Sequence, residues 1–378
     1  MNREVVVNKP KMMELLSEIS SAEDLASLRK GLFHLRNDLV STKNDVDGLL
    51  NIDANGATFS ISQKYLAGEI EQIEQSQTIE RAKYYLSRLA KSMSEIKTSE
   101  VNDINLNRWK EYDNILTDSL WMLQKRDSAG PHSSWYWGNF IPQIPHQLLL
   151  RYTKSDDWVI DPFVGSGTTL LECQRLGRNG LGIELQPEIA SKTRDLLKKG
   201  WGQEGNDLFS KPAPKKDAAQ RTVNTLVEVG DSTVIDFARI LQRLGIASAQ
   251  LLIMHPPYHD IIRFSEDPKD LSNAKSTDAF VEMFGKVVDN TFPILDRGRY
   301  LAVVIGDKYS RGEWIPLGFL LMNEVLKRDY KLKSIIVKNF EETLAKRNQK
   351  ELWRYRALVG GFYIFKHEYI LLFKKTAK

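Results

Sequence analysis

The stretch Asp157–Glu184, DWVIDPFVGSGTTLLECQRLGRNGLGIE, limits the fold more than any other part of the chain. An apolar run stops at Asp161, turns through Gly165 and Gly167, continues with helical character, and returns to a second apolar run ending at Glu184. That is strand, glycine turn, helix, strand, the unit from which parallel sheets covered by helices are built. The glycines allow a sharp turn and close approach of the backbone to a ligand. Ser166, Thr168 and Thr169 are placed to cap the helix N-terminus. Glu184 follows Asp161 by 23 residues, close to the spacing of about 20 at which an acid grips two ribose hydroxyls. The unit therefore suits a nucleoside-bearing cofactor. No lysine follows Gly167, which excludes a P-loop, and two aligned glycines fall short of a dinucleotide fingerprint. Asp161 would repel a pyrophosphate and favour a ligand with a positive group, such as the methionine ammonium of S-adenosylmethionine.

The alternation continues downstream. Strand-like runs at Trp158–Asp161, Gly180–Glu184, Leu226–Gly230, Gln250–Met254, Arg299–Ile305, Lys333–Val337 and Tyr369–Phe373 are separated by helical stretches. This predicts a mostly parallel sheet covered on both faces. Ser334–Val337 and Gly361–Lys374 lie close in sequence and predict an antiparallel edge. Residues 126–134, RDSAGPHSS, form a polar break. Before it, residues 1–125 read as helical, with apolar residues at helical spacing in Ala22–Leu39 and Ile70–Ile96 and a turn at Asn51–Ala57. No repeat at a fixed period is visible there, and nothing in it carries recognisable chemistry. The expected organisation is an all-helical domain over 1–125, for scaffolding, oligomerisation or target recognition, and an α/β domain over 126–378. Lys198–Val223 reads as an exposed insertion.

At roughly 150 residues per domain, 378 residues suit two domains. No apolar run approaches the ~18 residues that span a bilayer, and the first residues lack the pattern of a secretory signal. Cys173 is the single cysteine, which excludes an internal disulfide and a four-cysteine zinc site; a cytoplasmic protein without a structural metal is expected. The net charge of +4 is unevenly spread: Leu326–Lys378 holds 14 Lys/Arg and 5 Asp/Glu, leaving the remainder net negative. A basic C-terminal segment suits phosphate contacts, and equally a solvated surface.

The string DPFVGSGTT resembles the cofactor motif of the S-adenosylmethionine-dependent amino-methyltransferases that modify adenine N6 or cytosine N4 in DNA. The resemblance implies a Rossmann-like class I methyltransferase fold with a seven-stranded sheet. It implies that Asp161, Pro162, Phe163, Gly165, Ser166, Gly167, Thr168, Thr169 and Glu184 bind the cofactor. Upstream, Trp135–Pro145 (WYWGNFIPQIP) resembles the segment whose aromatic residues close over the methionine end, with Phe140 and Ile141 in that role. Trp135, Tyr136 and Trp137 read alternatively as core packing. Asp231 stands where similar proteins bond the cofactor adenine, although a loop aspartate also caps helices.

After Leu251–Met254 come His255, Pro256, Pro257 and Tyr258. They resemble the catalytic [Asp/Asn/Ser]-Pro-Pro-[Tyr/Phe/Trp] motif of the same family. An exocyclic amine conjugated to its ring is a poor nucleophile. Acceptors holding both N–H groups out of the ring plane favour a transition state with the lone pair aimed at the methyl. By resemblance, the His255 side chain and the Pro256 carbonyl are those acceptors, and Tyr258 stacks on an extruded base. Histidine in the first position is a departure from the family. A neutral imidazole accepts and an imidazolium cannot, so activity is expected to fall as His255 protonates, and a flat profile from about pH 5.5 to about pH 8.5 would count against the role.

Further on, LAVVIG at Leu301–Gly306 with Asp307 and Lys308, and HEYILLFKK at His367–Lys375, resemble the late strands of the family. Lys338–Arg356 interleaves Lys/Arg with Trp353 and Tyr355, as a surface for a nucleic-acid strand would. The resemblance runs from about Trp135 to Lys375 and leaves 1–125 aside. The expected function is site-specific DNA methylation, adenine before cytosine, in a restriction-modification or related defence system. An RNA guanine-N2 methyltransferase, or a catalytically silent nucleic-acid-binding subunit, are the alternatives. The expected partners are DNA, or RNA on the alternative reading, and a second copy or recognition subunit through the N-terminal helices, with no membrane.

Overall fold

The computed structural model describes residues 4–40, 57–123, 125–132, 135–201, 223–339 and 350–376. Two compact units are present: residues 1–100 with 104–114, and residues 101–103 with 115–378.

The first unit is not purely helical. It runs β1 (Glu4–Asn8), α1 (Lys9–Ser20), α2 (Leu25–Val40), then β2 (Thr58–Ser62), α3 (Gln63–Glu74) and α4 (Ile79–Ser94). Strands of 5 residues and helices of 12 and 16 recur in the same order. Each element of the second set starts 54 residues after its counterpart: Glu4 and Thr58, Lys9 and Gln63, Leu25 and Ile79. The buried positions coincide as well: Val7 with Ile61, Met12 with Leu66, Leu16 with Ile70, Leu32 with Leu86, Leu35 with Leu89. β1 and β2 pair antiparallel with Val6 opposite Ser60, its own counterpart, so a pseudo-twofold axis passes through that pair. The repeat escaped the sequence reading because it conserves burial and length, with few identical residues. The apolar stretch Ile70–Ile96 is two helices; Thr78 ends the break by accepting from the Arg81 N–H at 3.3 Å and starts α4. Residues 51–56 of the expected turn lie outside the described residues.

The second unit holds an eight-stranded sheet. Its elements are β3 (Leu120–Trp121), α5 (Gln143–Tyr152), β4 (Trp158–Asp161), α6 (Thr168–Leu176), β5 (Asn179–Glu184), α7 (Pro187–Lys199), β6 (Thr225–Val229), α8 (Phe237–Leu244), β7 (Ala249–Met254), α9 (Thr277–Thr291), β8 (Leu295–Ile305), β9 (Lys308–Ser310), β10 (Glu313–Ile315), α10 (Leu317–Val325), β11 (Tyr330–Asn339), α11 (Lys350–Gly360) and β12 (His367–Lys375). The strand order is β3-β11-β12-β8-β7-β4-β5-β6, and β9 pairs with β10 as a separate hairpin. All seven expected strands are present. β12 runs antiparallel to both of its neighbours, β8 and β11, so it lies inside the sheet rather than at its edge. The edge is the two-residue β3, paired parallel to Val337 and Lys338. That pairing draws residues 115–125 into the sheet unit, ahead of the boundary expected at 126. Of the expected insertion at 198–223, residues 202–222 lie outside the described residues.

Strand alternation separates two cores. Val159, Leu251, Ile253, Ala302 and Val304 face α5 through Ile144, Leu148 and Leu149. Ile160, Leu252, Met254, Leu301, Val303 and Ile305 face α8, α9 and α10 through Phe237, Phe280, Phe284 and Leu321. Being buried on both faces explains why these strands read as continuous apolar runs. From β4 the chain winds outward to β5 and β6; it then returns past β4 to β7 and β8 on the other side. β4 and β7 pair parallel, Val159 with Leu251 and Ile160 with Leu252. Their carboxyl ends therefore open at the switch point of the winding, where ligands of such sheets bind.

Candidate active site

Two turns leave the sheet at this switch point: 162–167 after β4 and 255–258 after β7. Both border one cavity of about 920 Å³. Of the expected cofactor residues, Phe140, Ile141, Pro162, Phe163, Gly165, Thr168, Glu184 and Asp231 line it, and His255, Pro256, Pro257 and Tyr258 line it from the other turn. Asp161, Ser166, Gly167 and Thr169 do not; they hold the loop from behind.

Asp161 is 1% exposed. It accepts from the Phe163 N–H at 2.9 Å and the Thr169 hydroxyl at 2.6 Å. Burial raises its carboxyl to about 6, against the pull of those two donors. Its carboxylate is engaged inside the loop and does not line the cavity. Gly167, at φ +83°, is the N-cap of α6, and no side chain caps that end. The hydroxyls expected to do so go elsewhere: Ser166 and Thr168 donate to Asn139 Oδ1 at 2.5 and 3.2 Å. The first N–H groups of α6 are thus left without a side-chain cap, a setting that suits an anionic group. Glu184 stands at the end of β5 and is 7% exposed. Its oxygens accept from the Gly165 N–H at 3.1 Å and the Gln186 N–H at 2.9 Å. Burial lifts its carboxyl to about 7, against those two backbone donors, with Asp270 and Asp161 adding to the rise. Asp231 accepts from the Thr233 N–H and hydroxyl at 2.9 and 2.7 Å while still lining the cavity, so its turn-capping role is built.

The aromatic segment is held by a polar clamp. Glu172 of α6 takes His132 Nε2 at 2.6 Å and His146 Nδ1 at 2.7 Å, and Arg175 pairs with Asp127 at 3.0 Å. Trp135 and Trp137 are 38% and 69% exposed, so core packing is not their role. Tyr136 lies against Gly165, where an added Cβ would meet its ring at 2.9 Å, and it stacks on Phe264 at 5.8 Å. Phe140 packs edge-on against the His255 ring at 4.8 Å. Asn139, bonded to Ser166, and Phe140, packed on His255, thus tie this segment to both turns.

His255 is half-buried, and its ring meets that of Tyr258 edge-on at 5.6 Å. Burial lowers its imidazole to about 4, with Lys338 adding to the effect and Glu368 opposing it. The imidazole is therefore neutral through the physiological range, and the fall expected as His255 protonates moves to about pH 4, leaving the His255 contribution flat from pH 5.5 to 8.5. The Tyr258 hydroxyl donates to Glu368 Oε2 at 2.7 Å, and Lys338 pairs with Glu368 Oε1 at 3.0 Å. Lys338 is only 5% exposed and belongs to the site, so it is not part of a phosphate-binding surface. Of the rest of 338–356, Trp353 lines the cavity, Tyr355 is exposed, and residues 340–349 lie outside the described residues.

Gly306 sits against the Tyr258 ring; a Cβ there would stand 2.7 Å from Tyr258 Cε2. Gly306→Ala is expected to displace the ring and lower methyl transfer by about 10- to 100-fold, with unchanged circular dichroism. Transfer at the wild-type rate would refute the contact. Sequence reasoning gave Asn139 and Glu368 no role, and it read Lys338 only as the start of a basic stretch. The signal for Glu368 was an acid inside the apolar run HEYILLF.

A family model described as DNA methylase matches residues 13–195. The match starts earlier than the resemblance read from the motifs, within the first unit, and ends before His255. The type II methyltransferase M.MjaII of Methanocaldococcus jannaschii is 48% identical over 52 residues, 14% of this chain and 10% of that protein. The type II methyltransferase M.XycI of Xanthomonas campestris pv. cyanopsidis is 36% identical over 88 residues, 23% of this chain and 27% of that protein. The matched stretches thus span under a third of these relatives. Among solved structures, TrmN from Thermus thermophilus aligns at a TM-score of 0.37 and 14% identity, covering 62% of this chain and 49% of that one.

The strand order and the glycine loop at its switch point give the second unit a Rossmann-like fold. Over residues 13–195 the chain is similar to the DNA methylases that this family model describes, and DPFVGSGTT lies inside the matched stretch. The residues present fit the cofactor: glycines where the backbone must approach it, an uncapped helix N-terminus, and an acid ending β5. Glu184 would hold the ribose hydroxyls, and Phe140 with Ile141 would enclose the methionine end. Among the described residues no helix is long and apolar enough to cross a membrane.

Proposed function

We propose that this chain is a site-specific DNA methyltransferase acting on an exocyclic base amino group, adenine N6 before cytosine N4, in a restriction-modification or related defence system. One observation carries the reading. The cofactor turn and the histidine–proline turn, 88 residues apart from Gly167 to His255 in sequence, line one cavity at the ends of paired strands. S-adenosylmethionine, when bound, supplies an electrophilic methyl on sulfonium sulfur. The chain's own residues position the nucleophile. His255, neutral and half-buried, accepts one amino N–H, and the Pro256 carbonyl accepts the other, which holds the N–H groups out of the ring plane and takes the nitrogen lone pair out of conjugation with the ring. Tyr258 supports the base. Gly306, Asp307, Lys308 and Trp353 form the far wall of the same cavity.

Transfer from cofactor bearing a tritiated methyl to duplex DNA, tRNA and rRNA tests this, followed by digestion to nucleosides. Label recovered in N6-methyladenine from DNA is the expected result. Label confined to RNA would overturn the substrate, and cofactor binding with no transfer to any of the three would leave a silent binding subunit.

A further inference from the structure

We propose that Glu368 and Lys338 are positioning residues that set the tautomer of His255, leaving its Nδ1 as the bare acceptor for the target amino group. This rests on the reading above, which gives His255 the acceptor's role. The four groups form one chain. Lys338 of β11 and Glu368 of β12 are register partners, both about 5% exposed, with Nζ 3.0 Å from Oε1. Glu368 Oε2 lies 2.7 Å from the Tyr258 hydroxyl, which lies 3.3 Å from His255 Nε2.

Donor and acceptor chemistry fixes every proton along it. An ammonium only donates and a carboxylate only accepts. The Tyr258 hydrogen must therefore point to Glu368, and the phenol oxygen turns only lone pairs toward His255. The contact at His255 is a hydrogen bond only if Nε2 carries the proton. A neutral imidazole has one N–H, so Nδ1 is left unprotonated. With the proton on Nδ1 instead, two lone pairs would oppose each other at Tyr258, and the ring would present N–H to an amine that needs an acceptor. Asp, Asn or Ser in this motif position offers an oxygen outright. Histidine offers an acceptor only in the correct tautomer, and that accounts for a buried ion pair placed behind an aromatic residue.

Glu368→Gln tests the assignment at nearly constant volume. Lys338 can only donate, so it takes the Gln amide oxygen. The amide nitrogen then faces Tyr258, whose hydroxyl turns to donate to His255 Nε2, and the imidazole proton moves to Nδ1. Nitrogen-15 histidine spectra read the tautomer with no substrate present; the chain has 6 histidines, and His255→Asn identifies the signal. The expected result is an unprotonated Nδ1 in the wild type and an inverted tautomer in Glu368→Gln. The turnover rate of that variant falls about 100-fold, with cofactor affinity unchanged, and Glu368→Asp restores the wild-type tautomer. His255→Asn, which places an oxygen near the position of Nδ1, retains more turnover than His255→Gln, which places one near Nε2. A wild-type proton on Nδ1, a tautomer unmoved by Glu368→Gln, or His255→Gln outperforming His255→Asn would overturn the proposal. If wild type transfers no methyl yet the tautomer inverts as described, the positioning stands and the methyltransferase reading fails.

Discussion

Glu184→Ala is expected to weaken S-adenosylmethionine binding by about 10²- to 10⁴-fold, since two ribose hydroxyls lose a charged acceptor at roughly 1.5–3 kcal/mol each. The pH dependence is the sharper measurement. The carboxyl is held at about 7 by burial in the cofactor-free protein. Above that pH it is ionised and accepts from both hydroxyls; below it a proton occupies one acceptor position and must be displaced. Affinity should therefore fall as pH drops below about 7, by up to roughly tenfold per unit. Titration calorimetry from pH 5.5 to 8.5 checks this. Glu184→Gln, which cannot ionise, should show no such slope. A wild-type affinity that is flat across the range, or an alanine variant within threefold of wild type, would remove Glu184 from the cofactor site.

His255→Ala is expected to lower the single-turnover rate by about 10²- to 10³-fold, the scale seen when one preorganised hydrogen-bond partner of a transition state is deleted. Cofactor affinity should stay within threefold, because Glu184 and the glycine loop are untouched. The sign of the pH effect follows from burial. Protonation abolishes acceptance, but it occurs near pH 4, so at saturating cofactor the wild-type rate contributed by His255 is flat from pH 5.5 to 8.5. At limiting cofactor the same enzyme should show the Glu184 slope. Finding the slope at saturating cofactor and none at limiting cofactor would reverse the two roles. An alanine variant that turns over at the wild-type rate would leave the Pro256 carbonyl as the sole acceptor.

Much of the second unit was legible from order alone. Strands buried on both faces must be apolar end to end, and glycines must stand where a strand gives way to a helix under a ligand. Those demands act on neighbouring residues, so DPFVGSGTT and HPPY could be read without coordinates. The roles inside the loop were less legible. Asp161, Ser166 and Thr169 stand beside the residues that reach the cavity, yet Thr169 donates to Asp161 and Ser166 to Asn139. One residue of register separates a lining side chain from a bracing one. The repeat in the first unit was hidden for a related reason. Packing selects size and apolarity at Val7 and Ile61 or Met12 and Leu66, and leaves identity free.

By itself the sequence determined the strand–helix alternation, the cofactor turn and the acid that ends β5, because each is imposed by local backbone geometry and by burial of a contiguous run. Only the tertiary structure decided that β12 enters the sheet between β8 and β11, and that Lys338 and Glu368 come to stand behind Tyr258 and His255. Glu368 lies 110 residues beyond Tyr258. Pairing across such a distance depends on the register of strands. No local propensity encodes it, nor does any encode the burial that depresses the imidazole, which the sequence alone would leave titrating near neutrality.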